Sequence, residues 1–120
     1  MDKKLLENII HCISPSGREE MLQKFLYNHY KNVFDEFVVR EQGSLIGVLN
    51  KDAKFKIMLA GHADEISLIV TGHNNDGTLE VESNGGIRAR LYAGTKVQIL
   101  TPNKIYKGVV GINSSINKNP

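Results

Sequence analysis

The amino-acid sequence predicts a mixed α/β fold in which two amino-terminal helices cover an open mixed sheet and a mostly β module follows. Apolar residues recur at helical spacing on both sides of an interruption at residues 14–16. The period becomes strand-like from residue 34, and residues 55–60 have the composition of a strand buried on both faces. From Ile66 onward, short apolar or alternating runs are separated by turn-forming residues, which is typical of a small β module.

The composition favours one globular domain. The 120 residues are 41% hydrophobic and 23% charged, which is enough for a core of its own. Fifteen basic and 13 acidic residues are spread along the chain without a basic run, so we expect no nucleic-acid partner. No stretch approaches the roughly 18 to 20 apolar residues of a membrane span, and charges flank the apolar LLENII. We therefore expect a cytoplasmic protein without a membrane partner.

The predicted helices cover residues 2–13 and from Ser16 to about Lys31. Their apolar faces are formed by Leu5, Leu6, Ile9, Ile10 and Ile13, and by Met21, Leu22, Phe25, Leu26 and His29. Pro15 ends the first helix, and Ser16 with Glu19 has the spacing of a capping box that begins the second. We expect His29 to be an interface residue and Cys12 to be a small buried side chain within the first helix.

A hairpin is predicted next, with strands at residues 34–40 and 45–49. The turn between them contains Gly43, which supplies the positive φ of a tight hairpin. A polar connection, residues 50–54, then leads into the predicted central strand, residues 55–61.

The end of that central strand is where we expect functional chemistry, because ligands of open α/β sheets bind outside the carboxyl ends of the strands. The segment there reads Gly61-His62-Ala63-Asp64-Glu65. An imidazole can bind a metal through one ring nitrogen while its other N–H donates to a carboxylate that fixes the tautomer. The same pair also arises by chance, with His62 as a polar strand end and Asp64 as a turn residue or cap.

The β module is predicted from four runs, which are Ile66 to Val70, Thr78 to Glu82, Thr95 to Leu100 and Tyr106 to Ile112. Asn75-Asp76-Gly77 is a turn signal, and His73 before it is expected to be an exposed turn residue. Arg88 and Arg90 are expected on a solvated face, with a substrate carboxylate or a neighbouring subunit as alternative partners.

Several segments carry a resemblance to a known family. AGHADEISLIV resembles the first metal-ligand segment of the co-catalytic metalloaminopeptidases of the glutamyl or deblocking type, which form tetrahedral shells and include proteins called cellulases. In that segment His62, Asp64, Glu65 and Ile66 match in place. SPSGREE is similar to the family's amino-terminal Ser-Gly-x-Glu motif, and NGGIRARLYAGTKVQIL and YKGVVGI resemble its inserted β domain. The match runs from about Ser14 to Ile112, roughly the first third of a family member.

The resemblance implies the amino-terminal part of a metal-dependent aminopeptidase that hydrolyses amino-terminal residues from peptides. Residues 1–66 would belong to a zinc-peptidase-like catalytic domain, and residues 67–120 to an incomplete all-β lid or dimerisation module. The full-length enzyme would bind two divalent metal ions, zinc or cobalt, with His62 as a metal ligand and Asp64 as a catalytic residue. The other ligands and the general base have no matching positions, so we expect the chain alone to be inactive, with a peptide substrate and homo-oligomerisation through the β module.

The sequence departs from the family at two places. Arg40 and Ser44 stand where the hairpin turn usually has aspartate and asparagine, and residues 113–117 stand in place of a proline-histidine pair. Two alternative functions stay open. One is a non-catalytic oligomerisation or peptide-binding module. The other is a glycan hydrolase, which needs carboxylates about 5 to 9.5 Å apart, whereas Asp64 and Glu65 are adjacent and point to opposite sides of a strand.

Overall fold

The computed structural model describes residues 2–111 and confirms the predicted mixed α/β class. The elements, in chain order, are α1 (Lys3–His11), α2 (Glu20–Tyr30), β1 (Glu36–Val39), β2 (Leu45–Val48), β3 (Ser67–His73), β4 (Leu79–Asn84), a 3-10 turn (Ala89–Tyr92), β5 (Lys96–Leu100) and β6 (Ile105–Val109). The chain divides into two compact units, Met1–Ser67 and Leu68–Pro120. In the described residues, no helix is long and apolar enough to cross a membrane.

Helix α1 is shorter than its apolar pattern predicts. The carboxylate of Asp2 caps it by accepting hydrogen bonds from the backbone N–H groups of Lys4 and Leu5, at 3.0 and 3.2 Å. The backbone turns extended at Cys12, two residues before the Ser14-Pro15 step. Cys12 is therefore half-buried just beyond the helix, and its predicted place within the helix is wrong.

Helix α2 begins at Glu20, so the predicted capping box at Ser16 is wrong. Gly17 has a φ of +85°, a left-handed conformation that a right-handed helix cannot include. The carboxylate of Glu19 accepts a hydrogen bond from the N–H of Gly17, at 2.6 Å, and not from Ser16. The hydroxyl of Ser16 has a different partner, described below. Leu22, 4% exposed, anchors the buried side of the helix.

An aromatic cluster joins α2 to the following hairpin. The rings of Tyr27 and Phe34 each lie edge-on to Phe37, with centroids 5.1 Å apart in both pairs. His29 lies against the rings of Phe25 and Tyr30 of the same helix, at 5.9 and 4.6 Å, and is exposed, so its interpretation as an interface residue stays a prediction.

Strands β1 and β2 form the predicted antiparallel hairpin, with Phe37 opposite Gly47. The turn is closed by hydrogen bonds from the N–H of Arg40 to the carbonyl of Ser44 and from the N–H of Gly43 to the carbonyl of Arg40. Gly43 has the expected positive φ, +84°. The turn is therefore formed although it lacks the aspartate and asparagine that are usual in the family.

The predicted central strand, residues 55–61, does not form in the described part of the chain. Its large apolar side chains are between 76% and 92% exposed, and they belong to Phe55, Ile57, Met58 and Leu59. A strand exists only when neighbouring strands take its backbone N–H and C=O groups. No described strand pairs with this segment. Its composition is that of a buried strand, but the described residues do not provide the neighbouring strands that it needs.

The second unit contains two separate two-stranded sheets, β3 with β4 and β5 with β6. Antiparallel pairing of β5 and β6 places Ile99 opposite Tyr106. The turn between β3 and β4 is closed by the N–H of Asn74 donating to the carbonyl of Thr78, at 2.9 Å, and His73 is exposed before it. All four predicted strands are present with bounds shifted by a few residues, and the predicted end at Ile112 lies outside the described residues.

Candidate active site

A cleft of about 340 Å³ lies in the first unit and contains both predicted site residues, His62 and Asp64. Three segments line it, which are the start of α2 (Glu19, Gln23 and Leu26), the hairpin turn (Gln42, Gly43, Ser44 and Leu45) and residues 61–64. The lining combines carboxylate, amide, hydroxyl and imidazole groups, so the cleft suits a polar ligand.

His62 and Asp64 are in direct contact. Nδ1 of His62 lies 3.1 Å from Oδ1 of Asp64 and 3.0 Å from the carbonyl oxygen of the same residue. Both oxygens are acceptors, so Nδ1 carries a proton, and in the neutral imidazole Nε2 then holds the lone pair. The imidazole side chain is 86% exposed. Its orientation therefore depends on these hydrogen bonds more than on packing.

The second oxygen of the Asp64 carboxylate is held by Ser16. The Ser16 hydroxyl donates to Oδ2 of Asp64 at 2.5 Å, although the two residues are 48 positions apart in the chain. This hydrogen bond is the main reason that the pKa of Asp64 lies below its ordinary value, with the N–H of Asp64 and the imidazole of His62 acting in the same direction against partial desolvation. The carboxylate is therefore ionised at neutral pH.

The loop that carries Ser16 is tied to the site segment along its length. The N–H of Glu65 donates to the carbonyl of Ser14 at 2.8 Å, and the N–H of Ser16 donates to the carbonyl of Glu65 at 3.3 Å. Pro15 and Glu65 form a parallel bridge, and the Glu65 carboxylate accepts from the N–H of Ser14 at 3.0 Å. Ser14 is buried within this contact. We call residues 14–16 together with Asp64 and Glu65 the serine clamp.

Sequence reasoning missed the part that Ser16 has in the site. The serine-to-glutamate spacing of residues 16–19 indicated a helix cap, which accounted for both side chains locally. The signal that disfavoured this cap was Gly17, which interrupts the first helical turn. The match of SPSGREE to a family motif pointed to the loop without indicating its partner.

His62 fits the role of one metal ligand. Its hydrogen bonds to described residues use Nδ1, so Nε2 is the nitrogen that can bind a metal. Residues 2–111 contain no group of three or more His, Cys, Asp and Glu side chains arranged to hold a metal ion. Tight zinc binding needs three or four protein ligands. The described residues therefore fit one part of a metal centre and do not complete it.

The other histidines of the first unit make different contacts. His11 lies on α1, where its Nδ1 is 2.6 Å from the carbonyl oxygen of Glu7. His29 packs against aromatic rings on α2, and His73 belongs to the second unit. Arg88 and Arg90 are exposed in that second unit.

Comparison with known proteins identifies the family. The sequence model of the M42 glutamyl aminopeptidases matches residues 43–118, which include His62 and Asp64. The chain is 34% identical over 107 residues to a protein of Acetivibrio thermocellus named as an aminopeptidase, covering 89% of this chain. It is 30% identical over 113 residues to the lysyl aminopeptidase of Pyrococcus furiosus, covering 93% of this chain.

A solved structure has the same fold. The TET1 peptidase of Pyrococcus horikoshii, described as assembling into a tetrahedron or a large octahedral shell, superposes with a TM-score of 0.81 at 28% identity and covers 97% of this chain. The chain spans 30% and 32% of the lengths of the two relatives and 36% of the solved chain, so it corresponds to about a third of such a protein. On the match of the family model to more than half of its residues, the chain belongs to the M42 glutamyl aminopeptidase family.

Proposed function

We propose that this chain is the amino-terminal part of a metal-dependent aminopeptidase that releases amino-terminal residues from peptides. The observation that carries the proposal is the contact between His62 and Asp64, in which Nδ1–H donates to the carboxylate and Nε2 is the ring nitrogen left for a metal at the cleft. Family membership supports the reaction class. In this proposal residues 1–66 belong to the catalytic domain and residues 67–120 form a β lid or dimerisation module.

The proposed roles follow from the site's own atoms. Divalent ions such as zinc or cobalt, two in a complete enzyme, supply Lewis acidity that polarises the substrate carbonyl. His62 binds through Nε2, and Asp64 is catalytic in the sense that its ionised carboxylate keeps the imidazole in the required tautomer. The amide groups of Gln23 and Gln42 line the same cleft and can hydrogen-bond to the peptide backbone of a substrate.

We propose that the chain by itself is inactive. His62 alone cannot hold a metal ion tightly, since three or four protein ligands are needed. The further ligands and the general base must come from residues other than those described, either on the same polypeptide or on another subunit. We also propose a cytoplasmic homo-oligomer that associates through the β module; the assembly described for the Pyrococcus horikoshii peptidase supports the homo-oligomer.

The test compares the longest natural polypeptide containing this sequence with the 120-residue chain. Both are assayed on lysyl, glutamyl and other aminoacyl chromogenic substrates with added zinc or cobalt. We expect turnover by the longer polypeptide that a chelator and His62→Ala abolish, and none by the chain alone. Turnover that survives both treatments would overturn the assignment. Chelator-sensitive turnover by the short chain would show that subunits pool their ligands.

The two alternative functions make different predictions in the same assay. A non-catalytic β module would self-associate without metal and give no turnover in any form. A glycan hydrolase would need Asp64 and Glu65 to act across a cleft, but their carboxylates are engaged by Ser16 and by the N–H of Ser14. The geometry therefore favours the peptidase.

A further inference from the structure

We propose that Ser16 is a positioning residue for His62, because its hydroxyl sets the orientation of the Asp64 carboxylate that holds the imidazole. The inference rests on the proposed function only in that Nε2 of His62 is taken to bind a metal ion. The hydrogen-bonded chain runs from the Ser16 hydroxyl through Oδ2 and Oδ1 of Asp64 to Nδ1 of His62, with distances of 2.5 and 3.1 Å.

The Asp64 carboxylate is planar, so its two oxygens move together. When one oxygen of Asp64 is held by a donor from outside the segment, rotation about its χ1 and χ2 is restricted, and the direction of the other oxygen is set. Without that donor, the half-exposed carboxylate has several accessible rotamers, and only some direct an oxygen at Nδ1. The carbonyl of Asp64 still accepts from Nδ1 at 3.0 Å, so loss of Ser16 should weaken the preference for one tautomer without abolishing it.

The donor itself is well fixed. The serine clamp ties the backbone of Ser14 and of Ser16 to Glu65, the residue after Asp64, through three hydrogen bonds between 2.8 and 3.3 Å. Movement of the loop and of the site segment is therefore coupled. Ser16 is half-buried, whereas His62 is largely exposed, so the fixed end of the chain of hydrogen bonds is the serine.

The structural role that the sequence indicated for the hydroxyl was helix capping, and the structure places the hydroxyl at Asp64 instead. Helix α2 begins at Glu20, and no side chain caps it. Removal of the hydroxyl should therefore change the site more than the helix. A change at the site without a change in the helix would separate a positioning role from a general effect on folding.

The experiment measures the tautomer of His62 directly in the 120-residue chain without metal. Long-range ¹H–¹⁵N correlation spectra of histidine-labelled protein are recorded at about pH 8, above the ordinary imidazole pKa of about 6.5. In the wild type we expect the Nδ1-protonated form to predominate. Ser16→Ala should lower the ratio of Nδ1-protonated to Nε2-protonated imidazole by about threefold or more, which is the order of the net contribution of one hydrogen bond.

An isosteric pair guards against loss of folding. Ser16→Thr keeps the hydroxyl and should retain the wild-type ratio, whereas Ser16→Val has the same shape without it and should behave like Ser16→Ala. Ser44→Ala is the matched control, since Ser44 lines the same cleft and the described structure gives its hydroxyl no hydrogen bond to Asp64. Equal ratios in the threonine and valine variants would overturn the proposal, as would an unchanged ratio in Ser16→Ala.

The outcome is independent of peptidase activity. If the tautomer depends on Ser16 but the longer polypeptide shows no metal-dependent turnover, the proposed function fails and the positioning role stands. If turnover is present and the tautomer ratio of His62 does not change in the Ser16 variants, the positioning role fails and the proposed function stands.

Discussion

At the scale of single residues, the contact between His62 and Asp64 is the centre of the proposed metal-ligand site. Their spacing of two positions lets the carboxylate reach the near ring nitrogen, at 3.1 Å. Asp64 is in turn held by Ser16, so both of its oxygens are occupied. The imidazole that carries the proposed metal-binding nitrogen therefore depends on a carboxylate that itself cannot turn freely.

The first prediction concerns these two side chains in a polypeptide that carries the proposed activity. His62→Ala removes a metal ligand and should abolish most of the turnover, whereas Asp64→Asn keeps the ligand and should reduce kcat/KM by about 10- to 100-fold. Asp52→Asn, which changes an exposed carboxylate outside the cleft, is the control. If Asp64→Asn and Asp52→Asn give the same kcat/KM, Asp64 has no part in the site.

The second prediction concerns Asp76 in the turn between β3 and β4. Its carboxylate accepts from the N–H and the hydroxyl of Thr78, at 2.9 and 2.7 Å, and the hydroxyl bond is the main reason that the pKa of Asp76 lies below its ordinary value. A depressed pKa in the folded state stabilises the turn above the unfolded pKa, about 3.9, and this stabilisation is lost as the pH falls through the folded pKa.

Thr78→Val should therefore raise the pKa of Asp76 toward its ordinary value, while the backbone N–H keeps part of the effect. Carboxyl-detected NMR titration measures this directly. Thr71→Val, on the exposed part of β3, should leave the titration of Asp76 unchanged. An unaltered midpoint in Thr78→Val would mean that the hydroxyl is not the cause.

At the scale of elements, the fit between α2 and the hairpin depends on Gly47. A Cβ at this position would lie 2.8 to 2.9 Å from three ring atoms of Phe34. Gly47 also faces Phe37 across the β1–β2 pair, so the absence of a side chain makes room for the two packed rings. The packing of the aromatic cluster therefore depends on the register of the hairpin, which places Gly47 beside the rings, as well as on the helix.

The third prediction follows from this contact. Gly47→Ala should force the Phe34 ring to move and lower the free energy of unfolding by about 1 to 3 kcal/mol, the usual cost of overpacking. Gly61→Ala is the control, because a Cβ there would meet nothing within 4 Å and its φ is not positive. Chemical denaturation compares the two. Equal midpoints would show that Phe34 moves aside at no cost.

At the scale of the whole molecule, segment 55–59 exposes its four large apolar side chains and has a backbone that no described strand pairs with. Exposed apolar strands with free backbone groups promote association between chains.

The fourth prediction is that the 120-residue chain self-associates at roughly tens of micromolar, as exposed strand-forming segments do. Leu59→Lys should weaken the association measured by sedimentation velocity. Ile10→Lys makes the same charge change at another exposed apolar side chain, on α1, and should have a smaller effect. A stable monomer at these concentrations would contradict the prediction, and equal effects of the two lysines would place the association elsewhere.

The sequence by itself determined those features whose causes are local. The apolar spacing predicted both helices, Gly43 predicted the hairpin turn, and the two-residue spacing predicted the contact between His62 and Asp64. Tertiary structure decided the features that need distant partners. Ser16 has the sequence position of a helix cap, but Gly17 prevents the helix from starting there. The Ser16 hydroxyl donates instead to the carboxylate of Asp64, 48 positions away. Residues 55–61 have the composition of a buried strand, but a strand forms only beside others, because its backbone hydrogen bonds are made between segments and not within one.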